Sequence, residues 1–362
     1  VLRLAGRMDL FRSRLRRLGA TCFSPFVRWL ICRWKKGRGQ VSPLMEQLCL
    51  GPIHTIRLAG VSSRRTAVSP MGTTDMSGLV VRLNDSSLLY DTNNISYGLV
   101  KSGYLAYVEN WRRLELRGVN VDPNIGSSWI DSPRLGDDQY GFTIDNAEAP
   151  IVFLVGKGVG TGVKVSGTSK TYLFSGATAS TKYYCFDLMK DDALGGPSLK
   201  TRDINQKITF NSGQLPLNVV AAIQAPLPGP IDRFGNPVTA YVNGRNERLR
   251  YQNASVSAIL HCVVDIQMPS SEEYAAFLPW SRSCGVVDYD YIPGAGAVIY
   301  GVAEGAFGRV GGISFFFSPP GRTTEQYWTQ TQQANISYYL LPTDRYPTAL
   351  VIKTAGLPFP FN

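Results

Sequence analysis

Clustered carboxylates are the first feature with chemical potential in this chain of 362 residues. Asp131, Asp137, Asp138, Asp145 and Glu148 fall close together, and Asp288 and Asp290 stand in VVDYDY. Such groups repel one another unless water or a cation bridges them, and Ca2+ takes about six to eight oxygens. Solvated loop acids are the default reading. A second candidate is GKGVGTG (156–162), a glycine-rich run behind an apolar segment. A phosphate-cradling loop would end in Gly-Lys-Ser/Thr and open a helix. This run does neither, so a glycine-rich turn is expected. The two histidines are His54 and His261. His261 neighbours Cys262, yet no second histidine and no recognisable acid partner stands near enough in sequence for a nucleophilic pair. Cys22, Cys32, Cys49, Cys185, Cys262 and Cys284 form no Cys-x-x-Cys motif. That speaks against zinc and for reduced, buried thiols made inside a cell. With no nucleophile, base and orienting acid linked by motif, catalysis is not expected.

The charge is distributed unevenly. Of the 37 Lys and Arg, eleven lie in residues 1–40: Arg3, Arg7, Arg12, Arg14, Arg16, Arg17, Arg28, Arg33, Lys35, Lys36 and Arg38. Asp9 is the one acid there, out of 27 in the chain. Residues 41–362 therefore hold 26 of each sign and are formally neutral, while the arm carries the whole net +10. Those eleven cations suit RNA, because Arg and Lys neutralise phosphates and release condensed counterions. Trp29 and Trp34 can stack on unpaired bases. Two alternatives stay open: a membrane-active amphipathic segment, since Arg alternates with Leu and Trp, and a passive basic tail. The chain shows no signal-peptide pattern, and no run of uncharged apolar residues is long enough to span a bilayer.

Positioning these residues falls to β structure. Glycine and proline number 36 and 22, and short β-branched runs alternate with turn clusters. Candidate strands lie at 55–61, 78–84, 111–121, 150–156, 170–176, 182–189, 207–210, 239–243 and 255–268. Short helical turns are expected near 97–110 or 215–223. Ser270 and Glu273 form a plausible capping box for a short helix within 268–280. In 111–121, Leu114 and Leu116 face one side, and Arg113, Glu115 and Arg117 the other. In 255–268, Val256, Ala258, Leu260, Cys262, Val264 and Ile266 share one face, with His261 and Asp265 between them. Further β-rich runs follow at 296–305, 311–320, 336–342 and 348–356. No repeat at a fixed period is visible.

The stretch YVENWRRLELRGVNVDPNIGSS (107–128) resembles a shell-domain strand in coat proteins of small icosahedral positive-strand RNA viruses of the tombusvirus, sobemovirus and nodavirus type. Tyr107, Trp111, Leu114, Leu116, Val119, Val121 and Pro123 carry the likeness. ASVSAILHCVVDIQMP (254–269) resembles the last shell strand of the same families, and RNA viruses of dinoflagellates are a further match in length. The resemblance implies an all-β protein: a basic arm and connector (1–49), an eight-stranded jelly-roll β-sandwich shell (50–269) and a β-rich projecting domain or subdomain (270–362). It implies a structural capsid protein that self-assembles into an icosahedral shell and packages viral single-stranded RNA through its arm. The virion would assemble in the host cytoplasm, with a host receptor or membrane as a further partner. It also implies calcium between subunits, with Asp137 and Asp138 as candidate ligands, and self-cleavage after an Asn, which Asn362 fits loosely. The alternative is a non-capsid RNA-binding accessory or movement protein with a β body.

Overall fold

The computed structural model describes residues 80–82, 88–91, 94–116, 129–191, 199–203, 205–249, 259–269, 271–288, 297–328 and 336–362. Two compact units divide the chain, residues 1–69 with 81–89 and residues 70–80 with 90–362. Strands β1 (Val80–Arg82) and β2 (Leu88–Asp91) lie at their border in sequence. All else concerns the larger unit, whose described residues form strands and turns without an α-helix.

Its first half contains β3 (Tyr97–Tyr104), β4 (Ala106–Leu116), β5 (Trp129–Asp145), β6 (Ile151–Val155), β7 (Val159–Ser166), β8 (Ser169–Ser175) and β9 (Lys182–Leu188). One set of antiparallel pairings joins β3 to β9 and β9 to β6. The other joins β4 to β5, β5 to β8 and β8 to β7. A hairpin, β10 (Lys200–Arg202) with β11 (Ile208–Asn211), follows. The second half contains β12 (Ala221–Gln224), β13 (Arg245–Leu249), β14 (Ile259–Gln267), β15 (Tyr274–Phe277), β16 (Ser283–Asp288), β17 (Ala297–Arg309), β18 (Gly312–Ser318), β19 (Thr324–Trp328), β20 (Ser337–Tyr339) and β21 (Thr348–Lys353).

The second half repeats the wiring of the first. β12 pairs with β21 and β21 with β15. β13 pairs with β14, β14 with β18, and β18 with β17. Under this correspondence β3, β9 and β6 map onto β12, β21 and β15. β16, β19 and β20 are additions around the N-terminal part of β17. The halves meet where β6 and β15 pair antiparallel at Leu154 and Ala276. One sheet thus runs β3-β9-β6-β15-β21-β12 and reads the same from either end when the halves are exchanged. Gly308 of β17 seals the junction. It pairs with Val155, and its carbonyl accepts from the Gly156 N–H at 3.0 Å. A Cβ on Gly308 would stand 1.8 Å from the Tyr274 carbonyl oxygen, so the close approach requires glycine.

The all-β class expected from composition is what the described residues adopt. These pairings do not by themselves establish one eight-stranded jelly roll over 50–269, and strands on both sides of residue 269 hydrogen-bond directly. Three local expectations are corrected. Residues 97–110 are strand, not helical turn. The helix expected within 268–280 is instead β15, held between β6 and β21. Residues 239–243 are turn and bend, not strand.

Packing follows from these layers. Leu260, Cys262 and Val264 of β14 join Phe315 and Phe317 of β18 in one core. Val263 and Phe316 face the opposite way, into a core shared with Leu105, Phe142 and Phe174 of the first half. Of the alternation read in 255–268, residues 255–258 lie outside the described residues; over 260–264 both faces of β14 are buried, His261 included, and Asp265 and Gln267 beyond them are exposed.

Candidate functional site

Arg113 is the most deeply buried charge in the first half, with none of its side chain exposed. A register shift between Arg112 and Leu114 breaks the regular alternation of β4 beside it. Its guanidinium forks onto Asp137, Nε at 3.0 Å and Nη2 at 2.9 Å, while Nη1 donates to Glu325 at 3.1 Å. The Tyr300 ring lies 4.7 Å from its Cζ. Tyr300 in turn donates its hydroxyl to Asp288 at 3.1 Å, and Arg248 forks onto Asp288 at 2.6 and 3.1 Å. A chain of charged and aromatic groups therefore links β4 and β5 to β13, β16, β17 and β19, across the two halves. The face that alternation assigns to Arg113, Glu115 and Arg117 is not left open at Arg113, where three charge-assisted hydrogen bonds offset desolvation; Arg117 lies outside the described residues. Arg112 is exposed.

A second cluster lies in the second half. Arg282 forks onto Glu304 at 2.7 and 2.8 Å, and Tyr241 donates to the same carboxylate at 2.8 Å. Burial, aided by that carboxylate, pushes the Tyr241 hydroxyl well above its ordinary range, so it stays a neutral donor. Neither cluster was anticipated. The signal was present: Glu304 occupies the inward phase between Val302 and Ala306, where a charge needs a buried partner.

The residues singled out by sequence do not converge. Asp137 and Asp138 are neighbours on β5 and project to opposite faces. Asp137 is held by Arg113, and Asp138 accepts from Asn110 at 2.7 Å. Asp131 is exposed, Asp145 accepts from Ser169, and Glu148 pairs with Lys207 at 2.9 Å. Asp288 belongs to the buried chain just described, not to a solvated loop. Among the described residues no group of three or more His, Cys, Asp or Glu is arranged to hold a metal. Asp290, His54, Cys22, Cys32, Cys49 and all eleven basic residues of 1–40 lie outside the described residues.

GKGVGTG forms the β6–β7 turn and the start of β7, with no helix behind it. Lys157 is engaged by Glu247 at 2.6 Å. His261 and Cys262 sit on opposite faces of β14. The Cys262 sulfur accepts from the Ala240 N–H at 3.2 Å, and burial raises the thiol to about 11. Nε2 of His261 lies 3.4 Å from the Ser318 hydroxyl, and Nδ1 has no hydrogen-bond partner. Burial, reinforced by Lys157 and Arg113, lowers this imidazole to about 3. The ring is neutral and only 2% exposed, sealed away from any substrate. Cys185, Cys262 and Cys284 are free and buried, as expected for reduced thiols.

What this arrangement does chemically is fix a β body through specific buried ion pairs. An open groove of about 290 Å3 runs between the halves, lined by Leu154, Gly160, Phe174, Trp280 and Ala306 among others. The described residues define a member of the all-β class. Comparison with protein-family models, curated proteins and solved structures gave no match.

Proposed function

We propose that this chain is a structural coat protein that self-assembles and packages single-stranded RNA, with residues 1–40 as the RNA-condensing arm. The observation that carries this reading is the partition of charge: net +10 in the arm and a formally neutral remainder. Arg113, Arg248 and Arg282 of the β body are engaged by buried carboxylates, which supports it, since these cations are not offered to RNA. The eight-stranded jelly roll of this reading rests on the resemblance of 107–128 and 254–269 alone. Calcium between copies would have to engage Asp138, because Arg113 already occupies Asp137.

Purified full-length chain, examined by negative-stain microscopy and size-exclusion chromatography, is expected as large, roughly spherical particles containing RNA. A monomer or small oligomer that still binds RNA would instead select the accessory or movement-protein reading.

A further inference from the structure

Between β12 and β13 the chain makes an excursion that ends in the tip Ile231-Asp232-Arg233-Phe234-Gly235-Asn236. The tip closes on itself. The Asp232 N–H donates to the Asn236 carbonyl at 2.7 Å, and the Gly235 N–H to the Asp232 carbonyl at 3.1 Å. Oδ1 of Asp232 accepts from the Phe234 and Asn236 N–H groups at 2.8 and 2.9 Å. Gly235 has φ +83°, the left-handed conformation this closure needs. Nearer the body, Val238 donates to Pro230 at 2.9 Å, Gly229 to Thr239 at 3.1 Å and Val242 to Leu227 at 2.7 Å. Pro226, Pro228, Pro230 and Pro237 have no N–H to satisfy.

The side chains run the other way, toward solvent. Leu227 is 62% exposed, Ile231 70% and Phe234 54%. The Arg233 guanidinium lies over the Phe234 ring, 4.6 Å from its centroid. The neighbouring segment docks through the Tyr338 N–H on the Pro237 carbonyl at 2.8 Å, and two residues on Leu340 is 84% exposed.

A loop in water has no need to satisfy its own peptide groups, whereas one that enters hydrocarbon does. A protein partner usually takes about one hydrogen bond per 100–200 Å2 of interface, and this tip spends the N–H groups of Asp232, Phe234, Gly235 and Asn236 on itself. Its charges, Asp232 and Arg233, cancel, so a zwitterionic surface does not repel it. We propose that the 226–242 loop is a lipid-binding site that inserts Ile231 and Phe234 into a phospholipid bilayer interface, with Arg233 at the depth of the phosphates.

The test uses full-length chain and phosphatidylcholine vesicles, in salt high enough to screen residues 1–40. The wild-type chain is expected to float with the vesicles. Ile231→Ser with Phe234→Ser is expected to lower the partition coefficient about tenfold or more, at an unchanged unfolding midpoint. Val163→Ser with Val165→Ser, an exposed apolar pair on β7, should leave it unchanged. As a second readout, Phe234→Trp should retain partition and gain emission quenched by brominated phosphatidylcholine relative to wild type. Absence of wild-type partition, equal losses in the β7 variant, or no added quenching would overturn the proposal. So would a loop variant that lost self-association while still floating, which would make the tip a contact between copies.

Discussion

At the scale of single residues, the buried charges dominate the energetics. Removing one partner of a buried ion pair leaves the others desolvated and uncompensated, which typically costs about 3–5 kcal/mol. Arg113→Ala is therefore expected to destabilise by that amount in chemical denaturation, since Asp137 and Glu325 both lose their donor. Arg113→Lys should recover only part, because a point ammonium cannot reproduce the fork. His261 adds a pH dependence. Its folded value is about 3 against 6.5 unfolded, so between those values the unfolded chain binds a proton that the folded chain refuses. Its contribution is fully present above pH 6.5 and is lost as pH falls, by about 1.4 kcal/mol per pH unit where the unfolded ring is fully protonated. His261→Phe should flatten the acid limb of stability by one proton, read from denaturation midpoints across pH 4–6.

At the scale of elements, the junction between β6, β15 and β17 is tightly constrained. Gly308→Ala would drive a methyl into the backbone of Tyr274 and Ala275, neither of which is a flexible chain end. A loss of about 1–3 kcal/mol or more is expected, with earlier hydrogen exchange at β15 than elsewhere. Many strands were legible: 150–156, 170–176, 182–189 and 207–210 are short apolar runs bounded by turn residues, and each is a strand. β15 was not. Ser-Glu-Glu ahead of Tyr274-Ala275-Ala276-Phe277 is a local helix signal, overridden because both backbone edges of the segment find strands to pair with. Nor were the partners of Arg113 legible. Alternation along one strand has no access to an acid 24 residues away in sequence.

At the scale of the whole molecule, charge and wiring tell different stories. The charge partition was fully legible, because it is a sum over residue types. Deleting residues 1–40 is expected to lower the nucleotide content of purified particles. It should also remove a salt dependence whose log–log slope approaches about −7, at roughly −0.7 per phosphate contacted. Filter-binding across a salt series would measure it, and an unchanged slope would remove the arm from the account. The repeated wiring was illegible for the opposite reason. It resides in which strands share hydrogen bonds, and unequal loops together with the inserted β16, β19 and β20 leave no fixed period to detect.

One consequence follows from β18. Phe315, Phe316 and Phe317 are consecutive and fully enclosed, two serving one core and the middle one serving the other. In a half-solvated strand a one-step slip would expose grease and be rejected; here it would merely trade one phenyl for another. The Val310–Gly311 turn sets the alignment of β18 on β17; against β14 it rests on the polar bookends: Ser314, whose hydroxyl reaches Asp265 at 2.5 Å, and Ser318 against His261. Blunting both hydroxyls, as in Ser314→Ala with Ser318→Ala, should yield a chain that refolds into mixed alignments, visible as doubled resonances, rather than one that simply melts earlier.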